Sequence, residues 1–591
     1  AWTGVQTCAL PISAADVADD PGNDLGAAWP VGKVVAQRVQ RPRADDARQA
    51  AAGRVIPVPI DVQPGAAVPG MRLGFELHSQ MLVASDALGR RIGEPFQFDS
   101  AARFGGMANP FQAVGADATL VGRILFIRSG PLVAAFSVPM PAGEGKAAES
   151  FHRLWVASDG TDPTAALAGF AIGRERRRLK RGGSVPLGMQ ISEPEEMQLP
   201  ARGVQATAAG VAILSGRSLE LRDPVSGDVI WRRRRLPVDG ELIGDERFLC
   251  VCPRSGKGTV VVSMIDGRII RTCDLPRHEQ RLMTVGRGVV VIEPIAARRA
   301  GGRGGFQRVK LELFDPATLG RRPLGEFAGE ARAAPAGAGL LAVVEPNGRL
   351  TLLDVGPQMD DDAVDARERF SAMLDDMPSG LQSLQVIPWQ DRLLVIVGRQ
   401  ETAEEQQRFG KIGMATALPS MVPGEESAQP VTGSVWAVSR ENGAMLWPVP
   451  ATIVRHALAR QQPAALPIML FARTIVPPRE GERHRLSLLC LDKRTGHAVH
   501  VDDKIAMQHQ MPTGCEMTGD PLTHEITVAV GDSVINRGAG GAPLAVRLVF
   551  TGEPTPPRPP YQASAKPPVT SDLTTELEYW LRKALTVPLP F

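Results

Sequence analysis

One short unit of this sequence repeats, and the repeat limits what the chain can fold into. Leu219 to Trp231 reads LELRDPVSGDVIW: an alternating strand, Asp223, a turn containing Gly227, and a second strand ending in Trp231. Val435 to Trp447 (VWAVSRENGAMLW) has the same layout, with Ser439 in the aspartate place and Gly443 and Trp447 at the same spacing. Leu488 to His500 (LLCLDKRTGHAVH) repeats it with Asp492, Gly496 and His500. Fainter copies run from Leu311 to Leu319, Leu350 to Asp354, Val260 to Ile270 and Leu82 to Ile92. Those near Asp223, Ser263, Asp315 and Asp354 fall roughly forty to fifty residues apart, the length of one four-stranded propeller blade.

The unit has a physical logic. An aspartate at a strand end can accept backbone N–H groups of its own turn. Glycine supplies the positive φ that such a turn needs. A tryptophan four residues later is large enough to pack on a neighbouring unit, removing about 150–250 Å² from water. Between the copies run short apolar segments such as Met81 to Ala84, Ile124 to Ile127, Leu132 to Phe136, Val289 to Ile292, Leu393 to Val397 and Ile526 to Val530. They are of strand length and rich in β-branched residues, with few helical patterns between them. Glycine (61) and proline (50) make up close to a fifth of the 591 residues, as many turns between short strands require. The expected fold is all-β: a β-propeller of seven or eight four-stranded blades.

Asp223, Gly227 and Trp231, spaced by three residues each, resemble the tryptophan-docking motif of pyrroloquinoline-quinone (PQQ)-type propellers. Gly443 with Trp447, and Asp492 with Gly496, are similar to it, His500 standing where the last copy would have tryptophan. Such repeats occur in quinoprotein alcohol dehydrogenases and in non-catalytic outer-membrane assembly lipoproteins of bacteria. The resemblance spans residues 54–550 and implies a propeller that is extracytoplasmic, in the periplasm or cell envelope.

The rest of the chain divides around that array. Thr3 to Ile12 (TGVQTCALPI) matches a translated sequencing adapter codon for codon, so residues 1–13 are set aside as an artefact, and the natural N-terminus is expected to be missing. Residues 14–53 read as a linker or the remnant of an upstream region. Two insertions are expected: 360–384, an acidic helix, and 401–430, a polar loop. Residues 551–570 are a proline-rich spacer. Residues 571–591 form an amphipathic helix with Leu573, Leu577, Trp580, Leu581, Ala584 and Leu585 on one face, docked on the propeller or offered to a partner.

Site chemistry is sparse. The quinoprotein enzymes of the resemblance carry a calcium-binding carboxylate and amide set, a catalytic aspartate and commonly adjacent cysteines; no such set can be matched here. No catalytic, cofactor-binding or metal-binding residue is assigned, and no cofactor is expected. Cys250 and Cys252 alternate on one strand and read as small buried hydrophobes. His497 and His500 are assigned to packing or surface, Gly301 to Gly305 to a plain loop, and the basic runs Arg174–Arg181 and Arg232–Arg235 to a solvated rim. A formal net charge of +2 argues against a nucleic-acid binder, which needs a basic face to neutralise phosphates. Membrane association is expected only through a segment upstream of the chain given. The expected function is a non-enzymatic scaffold for protein–protein contact. A diverged PQQ-dependent dehydrogenase and a carbohydrate- or polymer-binding propeller are the alternatives.

Overall fold

The computed structural model describes residues 29–40, 55–97, 117–139, 150–158, 185–186, 202–295, 308–356, 367–401, 431–475, 485–506, 512–532 and 544–563, with a few short gaps inside these spans. Every element among the described residues is a strand, and the strands form eight sheets. Each sheet is at heart an antiparallel meander, its strands paired in chain order. The first holds Val55–Val58, Arg72–Glu76, Met81–Ser85 and Arg91–Gln97. The second holds Asp117–Val121, Ile124–Ser129, Leu132–Ser137 and His152–Ser158, with Ile60–Val62 added in parallel. The third runs Arg202–Thr207, Gly210–Ser215, Ser218–Arg222 and Val229–Arg233; the fourth Gly240–Gly244, Phe248–Pro253, Thr259–Ser263 and Ile269–Cys273. The fifth runs Arg281–Val285, Gly288–Ile295, Arg308–Phe314 and Arg321–Ala328. The sixth runs Arg332–Pro335, Leu340–Val344, Arg349–Asp354 and Arg367–Met373, with Val185–Pro186 added at its inner edge.

The seventh sheet has seven strands because two hairpin units share one. Ala451–Leu458 pairs with Val431–Ser439 through its first part and with Ile468–Ile475 through Ala457 and Leu458. The eighth sheet combines Pro512–Asp520, Glu525–Asp532 and Leu544–Phe550 with Val34–Gln40 from the start of the chain.

Consecutive sheets face one another across apolar layers. Leu214, Leu219 and Leu221 of the third pack against Leu249, Val251 and Val262 of the fourth. Cys250 and Val261 of the fourth meet Val289 and Val291 of the fifth. The middle strands are buried on both faces: all five residues of Leu340–Val344 are buried. That is why their sequences read as unbroken apolar runs and not as alternating ones. The ring closes where Leu88, in the first sheet's turn, joins the core of the last strands with Ile526 and Val528. There Leu88 O accepts from Gly519 N at 2.8 Å. The molecule is a β-propeller.

Three expectations need correction. Val34–Gln40, inside the stretch read as linker, is a strand with a seven-residue ladder to Leu544–Phe550, and Trp29 beside it is buried. It was hidden because all seven of its ladder partners, Leu544–Phe550, lie far along the chain. Residues 360–384 do not form a helix where described: Arg367–Met373 is the outer strand of the sixth sheet and Leu381–Trp389 opens the next. Ladder pairing and the burial of Phe370 override a helical reading of that charged sequence. The proline-rich spacer is no free spacer at residues 558–563, which are bonded to the seventh sheet. Residues 1–28, 174–181, 301–305, 402–430 and the helix expected at 571–591 lie outside the described residues.

Candidate functional site

The repeated hairpin builds the seams between sheets. In four turns a backbone N–H four residues along closes on the first carbonyl: Gly227 N to Asp223 O at 3.0 Å, Gly267 N to Ser263 O at 3.0 Å, Gly443 N to Ser439 O at 2.9 Å and Gly496 N to Asp492 O at 2.8 Å. Each of these glycines has φ between 66° and 76°. The first side chain secures the turn. Asp223 Oδ1 accepts from Val225 N at 2.8 Å and Ser226 N at 2.7 Å, which holds its carboxyl below the usual range. Asp492 Oδ1 accepts from Arg494 N at 2.7 Å. Ser439 Oγ receives Glu441 N and Asn442 N more weakly, at 3.3 and 3.4 Å.

The glycine is bare because an aromatic ring from the preceding unit lies on it. A Cβ on Gly496 would stand 2.8 Å from Trp447 Cε3, and one on Gly267 would stand 2.6 Å from Trp231 Cε3. The indole N–H then donates to a carbonyl of the turn it covers. Trp447 Nε1 reaches Arg494 O at 3.0 Å and Trp231 Nε1 reaches Met264 O at 2.8 Å. Of the residues singled out from sequence, Trp447 and Gly496 meet directly. Trp231 does not meet Gly227 or Gly443: its partner is Gly267. Gly227 is covered by Trp155, whose Nε1 donates to Pro224 O at 3.0 Å, and Gly443 by Phe370. Trp155, Phe370 and Gly267 were not picked out from sequence. Trp155 lies before a stretch without a recognisable turn, and Phe370 lies in the segment read as helix. The glycine of Val260 to Ile270 was the available signal for Gly267.

The seam between the fourth and fifth sheets is built differently. Arg271 stands four residues after Gly267, where the third sheet has Trp231. Cys273 Sγ reaches Pro316 O at 3.8 Å. In the facing turn, Leu319 occupies the glycine place, its N bonded to Asp315 O at 2.8 Å and its φ at 66°. Arg287 joins the two sheets, reaching Asp315 at 3.0 Å and Asp245 at 3.4 Å.

Residues 29–30 and 558–563 converge on the Asp492–Gly496 turn. Arg494 clamps Asp492 and donates to Trp29 O at 2.8 Å and Pro30 O at 3.2 Å. Residues 558–563 cross its outer side: Tyr561 N donates to Gly496 O at 2.9 Å, Thr452 N to Tyr561 O at 2.8 Å, and Gln562 Nε2 to Pro450 O at 2.8 Å. His497 Nε2 meets Arg558 O. Beneath them Lys493 is fully buried, its Nζ 3.2 Å from Ala464 O and 5.5 Å from the Trp389 ring centre. Burial brings its pKa down to about 7, against the pull of Asp492. His456 is likewise buried, held down to about 3 by burial and by Arg473. Cys250 and Cys252 are buried free thiols, and burial pushes Cys250 well up. Among the described residues no three His, Cys, Asp or Glu side chains gather in a metal-binding group.

The outer rim of the second to fifth sheets carries exposed apolar side chains. They are Val156, Val225, Val229, Ile230, Ile265, Ile269, Ile270 and Leu319. Residues 232–235, all arginine, follow Trp231 and are exposed; Arg232 binds Glu220 at 2.6 Å. No helix among the described residues is long and apolar enough to cross a membrane.

The chain is similar in structure to several solved β-propellers. BamB from Moraxella catarrhalis is 14% identical over 59% of this chain and 82% of that one, with a TM-score of 0.27. The WD40 domain of SCAP from fission yeast is 8% identical over 89% and 99%, with a TM-score of 0.30. Dihydro-heme d1 dehydrogenase NirN in complex with DHE is 13% identical over 60% and 68%, with a TM-score of 0.27. No family model and no curated protein matches the chain.

Proposed function

We propose that this chain is a non-enzymatic propeller scaffold for protein–protein contact, of the PQQ-like, non-catalytic kind that its docking motif resembles, working outside the cytoplasm in the cell envelope. The observation that carries the reading is the apolar rim: Val229, Ile230, Ile269 and Ile270 are 38–50% exposed on the outer strands of two neighbouring sheets. Outer strands that face water alone ordinarily carry charge, and clustered exposed aliphatics mark contact surfaces. The motif residues themselves are occupied in the seams. The carboxylates of Asp223 and Asp492 hold their own turns, and the indoles of Trp231 and Trp447 cover glycines.

Affinity capture with the full chain tests this. The expected result is a reproducible protein partner, together with a melting temperature that PQQ and Ca²⁺ leave unchanged, since a ligand held by the native state alone would raise it. A rise at saturating PQQ and Ca²⁺, or no reproducible partner, overturns the proposal.

A further inference from the structure

We infer that the free edge of Val229–Arg233 receives an extended, acidic and apolar segment of another protein as an added strand of the third sheet. This rests on the scaffold reading and names the surface and the kind of partner.

Three observations meet at this strand. Its main chain is available: Val229–Arg233 is last in its sheet and pairs with Ser218–Arg222 on one side, with no strand on the other among the described residues. Unpaired N–H and C=O groups along an edge are a template for an incoming strand. Its exposed side chains are apolar where the ladder shifts register, because Val229 and Ile230, opposite Leu221 and Arg222, are 41% and 50% exposed. The apolar surface continues onto the next sheet, since Trp231 docks on Gly267 and Met264, beside Ile265, which is 84% exposed. Ile269 and Ile270 extend it.

Charge then selects the occupant. Arg233, Arg234 and Arg235 are exposed where the strand ends, with Arg217 beside them through the Leu236 N to Arg217 O bond at 3.1 Å, and with Arg268 on the neighbouring hairpin. The acids nearby are fewer. Glu220 is held by Arg222 and Arg232 at 2.6 Å each, Asp228 takes Ser226 Oγ at 2.9 Å, and Asp266 accepts Arg268 N in its own turn at 3.1 Å. An extended segment alternating aliphatic and carboxylate residues satisfies all three features. Its backbone completes the ladder, its aliphatic side chains cover Ile230 or Val229, and its carboxylates meet the arginines. A second copy of this chain pairing edge to edge would bring no carboxylate from its own Val229–Arg233 to the arginines. A nucleic acid would leave the isoleucines uncovered.

Two synthetic decapeptides of alternating valine and aspartate test it, one ordinary and one N-methylated at alternate amides so that it cannot complete a ladder. Binding to the full chain is read by fluorescence anisotropy and by amide exchange. The ordinary peptide is expected to bind, slow exchange within 229–233, and bind at least about tenfold more tightly than the methylated one. Ile230→Asp and the double change Arg233→Glu, Arg234→Glu, at exposed positions, are each expected to weaken it about tenfold with the melting temperature unchanged. Equal binding of the two peptides, protection elsewhere in the ring, or tighter binding to anionic phospholipid vesicles than to the ordinary peptide overturns the inference. If the Ile230→Asp chain still captures the partner found above, the edge assignment falls and the scaffold reading stands. If the unaltered chain captures none, the scaffold reading falls.

Discussion

The seams at Gly496 and at Leu319 use one turn in two ways. In both, a backbone N–H closes on the carbonyl four residues before it, and a residue with φ near 70° ends the turn. At Gly496 that residue is bare and the bulk comes from across the seam, as Trp447, 4% exposed. At Leu319 the bulk sits on the turn, half exposed, and the facing strand offers Cys273 and Arg271. Arg287 joins that second seam by charge where the first has a buried ring. The first seam is also crossed by residues 29–30 and 558–563, and at the second Leu319 meets solvent. The turn is therefore a local solution that any sheet can adopt, while the lock is a property of the pair of sheets that meet there.

The contrast can be broken most severely at its closed side. Trp447→Ala removes the ring and the Nε1 bond together and leaves a cavity against Met469 and Leu491. It is expected to cost about 3–5 kcal/mol, read as a lowered thermal midpoint with earlier proteolysis near residues 558–563. A loss under about 1 kcal/mol would show that the strap, and not the ring, holds the seam.

A smaller effect of opposite sign is expected at Lys493. Its folded pKa, about 7, lies below its unfolded value of 10.5. The folded state therefore binds fewer protons between these values, and stability is lost as pH falls from about 10.5 towards 7. Lys493→Met should remove that slope, raising stability at pH 7 by about 1–4 kcal/mol and converging on the parent above pH 10.5. Thermal melts at pH 7, 9 and 10.5 check this, and equal slopes for the two proteins would place the amine in water.

The smallest change sharpens the open side. Leu319→Gly relieves a left-handed backbone that costs a side chain about 1–2 kcal/mol and gives back part of that as chain entropy. The net effect is expected to stay within about 1 kcal/mol in urea unfolding. A larger loss would show that Leu319, despite its exposure, closes the seam.

These differences explain what could be read in the sequence. The turns were legible because they are local: aspartate or serine, then glycine, then tryptophan, all within one hairpin. The direction of docking was not, because Trp231 finds Gly267 and Gly227 finds Trp155 through neighbours that no spacing within one unit encodes. Where bulk moved to the other side of the seam, as at Leu319, the motif faded although the turn persisted. Arg367–Met373 looked helical because its charged residues lie on an outer strand, where only Phe370 is buried and its neighbours in the sequence meet water. Val34–Gln40 looked like linker because its ladder is made with residues at the opposite end of the chain. The apolar part of the rim was not legible, because nothing within VIW or IIR marks those segments as the last strands in their sheets.

The ladder between Val34–Gln40 and Leu544–Phe550 sets the order in which the molecule can be completed. Val34–Gln40 must wait, unpartnered, until Leu544–Phe550 has left the ribosome, so the ring is sealed only after synthesis of everything between the two strands. Contacts so distant along the chain form slowly, and in the meantime Leu544–Phe550 presents an aliphatic edge that another nascent copy could occupy. Loss of Val34–Gln40 by nicking would leave that vulnerability permanent: an unsealed circle prone to joining its neighbours.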